Sequence, residues 1–224
     1  MFKNINKILV IAPHPDDETL GLGGSIKKFT KLGVKVKVVI VSGHKPPLYS
    51  AKDYKITFNE SKKVFKLLNV HSYYDLDLVA TKLNEIPTSS LNNKITKVLS
   101  DFKPDVLFIP FPDRHIDHRI VFESSIVASR PKTNFYPKII LSYETLSETH
   151  WNVSNIEPNF NPDFFINIDK EINFKIKALK IYKSQINNKN LSRSPDAAKA
   201  LARFRGSQNG CKYAEAFKVI RIIF

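Results

Sequence analysis

The chain has 224 residues, 42% of them hydrophobic and 25% charged, which suits one domain with a sizeable core and excludes a disordered or fibrous class. Its 35 Lys and Arg outnumber 21 Asp and Glu, for a net charge of +14, but the cations are spread along the chain and are mostly Lys, whereas planar phosphate and base recognition favours Arg, so no nucleic-acid partner is expected. The single cysteine, Cys211, excludes an intrachain disulfide and a Cys-based zinc site; with no apolar run long enough to span a bilayer and no evident signal peptide, a cytoplasmic protein is expected.

The first apolar run, 7–12, predicts a buried strand. It ends in Pro13-His14-Pro15-Asp16-Asp17-Glu18, one imidazole and three carboxylates in a loop stiffened by two prolines. A helix is predicted over 18–32, with Gly33 as its terminating residue. Gly21-Leu22-Gly23-Gly24 lies inside that helix rather than between strand and helix, so it is no dinucleotide fingerprint; small residues there let the helix approach the sheet. Residues 34–42 predict a second strand, followed by Ser42-Gly43-His44, which puts His44 at a strand end beside the same cleft. A polar loop is expected over 45–56, an amphipathic helix over 58–69, a short strand near 71–76, and a helix over 88–102 capped by Ser89 or Ser90.

Residues 105–110 predict another buried strand, ending in Phe111-Pro112-Asp113-Arg114-His115-Ile116-Asp117-His118. A helix then runs from 116 to 130. Further elements are a strand over 138–144, a strand over 163–168, helices over 169–184 and 195–205 with Pro195 in the first turn of the latter, and a last strand from 216 to 224. Strands and helices alternate through the first two thirds. The expectation is a single α/β domain over 1–224: a Rossmann-like, mostly parallel central sheet flanked by helices, with a C-terminal strand/helix extension.

The two His/Asp clusters each follow a predicted strand, where an open α/β sheet places its chemistry. His115 and His118, at i and i+3, share one face of a helical turn. Asp16 and Asp17 are adjacent, so one carboxylate binds a metal while its neighbour stays free; the spacing alone does not say which. A hydrolytic metal site needs three His or carboxylate ligands, an open position, a non-ligand carboxylate as base and an oxyanion donor.

Pro13-His14-Pro15-Asp16-Asp17-Glu18 resembles the signature of the LmbE/PIG-L family of zinc-dependent N-acetylsugar deacetylases, and His115-Ile116-Asp117-His118 is similar to that family's second motif, His-x-Asp-His. Tyr143 to Trp151, Asn161 to Phe165, Arg205-Gly206-Ser207 and Ala214-Glu215-Ala216-Phe217 resemble one bacterial branch of it. The resemblance implies His14, Asp17 and His118 as ligands of Zn2+ (Fe2+ or another divalent ion being the alternative). It implies Asp16 as general base and His115 as oxyanion stabiliser, its ring held by Asp117. His44, Arg114 and Arg193 are candidate substrate contacts. The expected substrate is a small N-acetylated sugar or sugar conjugate, nucleotide-linked in one version, and a homo-oligomer is compatible with the sequence. The branch carries His-Pro-Arg-Ser where this chain has Leu191-Ser192-Arg193-Ser194, and an arginine near the position of Thr57 and Phe58, which leaves the specific sugar open. Two rival readings are an amide hydrolase acting on a non-sugar conjugate and a basic ligand- or nucleic-acid-binding module with a vestigial metal site.

Overall fold

A computed structural model describes residues 5–131, 135–186 and 191–223. Seven strands form one sheet in the order β3-β2-β1-β4-β5-β7-β6: β1 (Lys7–Ala12), β2 (Lys35–Gly43), β3 (Ser72–Val79), β4 (Val106–Pro110), β5 (Ile139–Tyr143), β6 (Phe164–Asn167) and β7 (Ala214–Ile222). Strands β1 to β5 run parallel, and β7 is antiparallel to both β5 and β6. The C-terminal extension thus completes the sheet edge.

Every residue of β1 after Lys7 is buried, because successive side chains point to opposite faces and both faces are covered. Ile8 and Val10 join Phe65, Ala178 and Tyr182 on the face packed by α1 (Asp17–Lys31), α2 (Ala51–Leu68) and α5 (Ile172–Ile181). Leu9 and Ile11 join Leu91, Ile95 and Val121 on the face packed by α3 (Thr88–Phe102) and α4 (Ile116–Ala128). The sixth helix, α6 (Pro195–Ser207), carries Pro195 in its first turn, and Ser194 caps it by accepting from the N–H of Ala197 at 3.1 Å. The chain leaves β1 toward β2 and later returns to β4 on the other side of β1, so a topological switch point lies between β1 and β4. The loops that follow these two strands carry the two His/Asp clusters.

The glycines of α1 permit close approach. A Cβ on Gly21 would lie 2.3 Å from the ring of Tyr143, and one on Gly24 would lie 2.7 Å from Ile168. Leu22, between them, leaves helical geometry at φ −145° and ψ 26°. The backbone groups near this kink are taken up by a buried pair. Lys175 Nζ donates to Leu20 O (2.7 Å) and to Glu215 (2.6 Å), while Glu215 accepts from the N–H groups of Gly24 (2.9 Å) and Ser25 (2.7 Å). Substitution therefore falls on two fronts at once here, since neither the glycines nor the ion pair has a free alternative.

Three sequence expectations shift. The segment 51–56 belongs to α2 and is not loop: its first turns are exposed on nearly all sides, so they show no apolar stripe, and Ser50 caps them by accepting from Asp53 N. Helix α3 starts behind Pro87 with no side-chain cap, not at Ser89 or Ser90. Helix α5 is shorter than 169–184, because Tyr182 leaves it to donate its hydroxyl to Glu18 (2.7 Å) and Ser184 N turns to Glu60 (3.2 Å). Gly33 ends the first helix at φ 82° as expected.

Candidate metal centre and active site

The backbone separates the adjacent carboxylates of Asp16 and Asp17. Asp16 precedes α1 in a left-handed conformation, φ 102°, while Asp17 is the first helical residue, so the two carboxylates project in different directions. Such a conformation costs a non-glycine residue about 1–2 kcal/mol. It is held by the N–H groups of Thr19 (2.9 Å) and Leu20 (2.8 Å) on Asp16 O and by Asp16 N donating to Glu18 (3.1 Å).

Asp17 turns inward. Its Oδ2 accepts from His14 N at 2.9 Å and lies 3.2 Å from both His14 Nδ1 and His118 Nε2. The far nitrogens of both rings are already engaged: His14 Nε2 meets Asp117 at 2.8 Å, and His118 Nδ1 meets Asp113 at 3.0 Å. Asp17 Oδ1 and His118 Nε2 are buried without a hydrogen-bond partner. Burial opposes charge on Asp17, but His118 and His14 outweigh it and hold this carboxyl well below its usual range. Burial likewise opposes charge on His118, but Asp17 and Asp113 outweigh it and push the ring up to about 10. A donor set that draws positive charge into a closed pocket this strongly fits a divalent cation, whose His ligands have carboxylate partners on their second nitrogens.

His115 is different. It precedes α4 in extended conformation, and its Nδ1 accepts the N–H of Asp117 at 3.1 Å. Burial, then His14 and His118, push its pKa down to about 4. A neutral ring that accepts at Nδ1 carries its proton on Nε2, so it presents an N–H donor. His14, His115 and His118 each offer a nitrogen within 4.8 Å of the others, which is compatible with a three-imidazole cage. The His115 tautomer instead favours Asp17 as the third ligand.

Asp16 is buried beneath Arg193, whose Nη2 lies 2.9 Å from both carboxylate oxygens. Burial raises its pKa to about 8, against the lowering effect of Arg193. Glu18, behind it, is raised to about 7 by burial, against hydrogen bonds from Thr19 and Tyr182.

The sequence-derived residues do not all land where expected. Asp117 does not hold the His115 ring with its carboxylate; that group accepts from Thr81 N (2.7 Å) and meets His14, and only its backbone N–H reaches His115. Arg193 meets Asp16. Arg114 is turned outward, 3.6 Å from Glu157. His44 stacks against His14 at 6.4 Å between centroids and so lines the cleft.

Asp113 was not singled out in the sequence. It is fully buried and accepts from His118 Nδ1, from His115 N at 3.1 Å and from Thr149 Oγ1 at 2.8 Å. The available signal was a carboxylate five residues before a candidate ligand histidine at a strand end, where a ring needs its second nitrogen oriented. Thr149 sits on the loop after β5. That loop is anchored by Arg205, which donates to both oxygens of Glu144 at 2.9 and 2.7 Å.

Comparisons with known proteins point to one family. Residues 9–129 match the model of the family PIG-L, described as GlcNAc-PI de-N-acetylase, which spans both His/Asp clusters. The chain is 26% identical over its whole length to a diacetylchitobiose deacetylase of Thermococcus kodakarensis, covering 86% of that protein. It is 31% identical to a protein of Escherichia coli named uncharacterized deacetylase YaiS, over 79% of this chain and 90% of that one. Among solved structures, the N,N'-diacetylchitobiose deacetylase of Pyrococcus horikoshii superposes with a TM-score of 0.79 at 26% identity, covering 98% of this chain and 85% of that one. The two strand-end clusters, their shared pocket and the matched span together place the chain in the PIG-L (LmbE) family.

Proposed function

We propose that this protein is a metal-dependent N-deacetylase that hydrolyses the acetamido group of an amino sugar or sugar conjugate, releasing acetate and a free amine. The observation that carries the reading is the convergence of His14 Nδ1, Asp17 Oδ2 and His118 Nε2, with the remaining ring nitrogens tied to Asp117 and Asp113. The family description and the relatives' names, which refer to de-N-acetylation of GlcNAc-PI and deacetylation of diacetylchitobiose, support the substrate class.

His14, Asp17 and His118 would hold the ion. A divalent cation such as zinc or iron(II) supplies Lewis acidity there, acidifying a water and polarising the acetyl carbonyl. Asp16 accepts the water's proton at a carboxylate oxygen. Buried beneath Arg193, whose Nη2 lies 2.9 Å from both of its oxygens, Asp16 keeps that proton in the site and returns it to the departing amine. His115 donates its Nε2–H to the oxygen on which negative charge develops, and the Asp117 N–H keeps that tautomer in place. The Asp117 carboxylate orients His14.

The test is acetate and amine release from N-acetylated sugars by metal-loaded protein, before and after exhaustive chelation verified by elemental analysis. Activity that vanishes with the metal and returns on reloading is expected. Full activity in metal-free protein, or no release from any N-acetylated sugar, overturns the reading.

A further inference from the structure

On the face of the sheet packed by α3, a cavity of about 300 Å³ opens between that helix and the edge strand β3. It is separate from the metal site. Lys37 in its wall is level with Leu9, three residues before β1 ends, which puts it about 10 Å below the start of the cleft. None of the residues assigned to the metal site lines it. We propose that this cavity is a second binding site, for a planar aromatic ring bearing phosphate, of the nucleoside diphosphate kind. The proposal stands independently of the deacetylase reading.

The walls follow from strand register and helix period. Side chains two apart on a strand share a face, so Tyr74 and Leu76 of β3 stand beside Lys37 of β2. Opposite them, Lys94 and Lys97 lie three apart on α3 and share one face of that helix. Leu76 and Val98 are buried and form an apolar floor. Because β3 is the edge strand and Tyr74 is 54% exposed, a ligand reaches this floor from outside.

Charge and missing partners select the ligand. Three ammonium groups line the cavity against one carboxylate, Asp101. Asp101 accepts from Lys97 at 3.1 Å, but both side chains are exposed; such a pair adds little, so Lys97 is free to turn to a ligand. Among the described residues Lys94 has no ion pair, and Lys37 Nζ meets only the Phe102 ring, 4.9 Å from its centroid. Residues 1–4, 132–134, 187–190 and 224, outside the described ranges, include no Asp or Glu, so they do not offset this positive balance. A phosphate ester carries about two negative charges near neutral pH, which matches the two lysines left without a carboxylate, and Lys serves phosphate as a point charge. Tyr74 supplies an aromatic face whose hydroxyl has no partner among the described residues, and a planar ring stacks on it above the apolar floor. The volume sits at the lower end of the roughly 300–1,000 Å³ of ligand pockets, enough for one ring system and its phosphates.

The experiment is calorimetric titration of the full chain at physiological salt with ADP, pyrophosphate and adenosine as probes. ADP should bind about ten-fold or more tightly than either pyrophosphate or adenosine, since it alone uses both the lysines and the ring. The double variant Lys94→Ala, Lys97→Ala should weaken ADP about ten-fold or more. Tyr74→Ala should weaken ADP to a similar degree and leave pyrophosphate unchanged. The double variant Lys63→Ala, Lys66→Ala removes the same charge from α2, which packs the other face of the sheet, and should leave ADP affinity unchanged. All these side chains are exposed, so the variants are expected to keep the wild-type thermal midpoint. Absence of ADP binding, unaltered binding in Lys94→Ala, Lys97→Ala, or equal weakening by the two lysine pairs overturns the site. Pyrophosphate binding as tight as ADP, with Tyr74→Ala neutral, overturns its assignment to an aromatic phosphate.

Discussion

Oδ2 of Asp17 and Nε2 of His118 face each other across 3.2 Å in a pocket closed to solvent, while Nδ1 of the same ring is already committed to Asp113. The carboxylate and the imidazole together draw positive charge into that gap, which a proton supplies in the metal-free site and a divalent cation would supply in its place. The proposed division between ligands and base follows this relationship, and the following predictions test it.

Asp16 lies under Arg193 and has no contact with either proposed ligand imidazole among its hydrogen bonds. Asp16→Asn is therefore expected to keep its metal and to lose activity by about 10²–10⁴-fold, the usual worth of a general base. Metal content by elemental analysis alongside kcat checks this. Loss of metal from the variant would move Asp16 into the ligand set.

His115 and His118 share one turn but differ in tautomer. His118→Ala should empty the site, whereas His115→Ala should retain metal and lower kcat by about 10²–10³-fold, as for removal of an oxyanion donor. Equal loss of metal in the two variants would instead favour a cage of three imidazoles.

Asp113 reaches the metal site only through His118 and the His115 backbone. Asp113→Asn is expected to weaken metal binding by about 10–100-fold. Thr149→Val, which removes the hydroxyl donating to Asp113 at 2.8 Å, should give a smaller change in the same direction. Titration with a competing chelator measures both. Unaltered metal affinity in Asp113→Asn, with only lowered thermal stability, would reduce Asp113 to a packing role.

The pair Lys175–Glu215 lies at the kink of α1, on the other side of the helix start that carries Asp17. Glu215→Ala leaves a buried ammonium and two backbone N–H groups without their acceptor, so a loss of about 3–5 kcal/mol is expected in denaturant unfolding. The double variant Lys175→Met, Glu215→Ala should lose less than the sum of the single variants, because the uncompensated charge is gone. Strict additivity would show that the two groups act independently.

Much of this architecture is written in local pattern. Continuous apolar runs at 7–12 and 105–110 gave both strands that carry the site, because a strand buried on both faces needs no partner to be recognised. The His-Pro-Asp-Asp and His-x-Asp-His clusters carried the expectation of a metal site by composition, and their position at strand ends followed from alternation of elements. Asn-, Lys- and Tyr-rich surface segments were less legible: residues 51–56 form helix without an apolar stripe, since no face of that part is buried.

What the sequence alone determined, then, is which residues could meet and roughly where along the sheet. The tertiary structure decided which partners each one meets. The left-handed Asp16 divided the two adjacent carboxylates. The partners of His14 and Asp16 lie 103 and 177 positions away, at Asp117 and Arg193, and local spacing carries no information across such distances. Asp117 met His14 only when β1 and β4 became neighbours, and Asp113 met Thr149 only when β5 joined β4, because a hydrogen bond needs atoms within about 3 Å and only the folded sheet supplies that proximity.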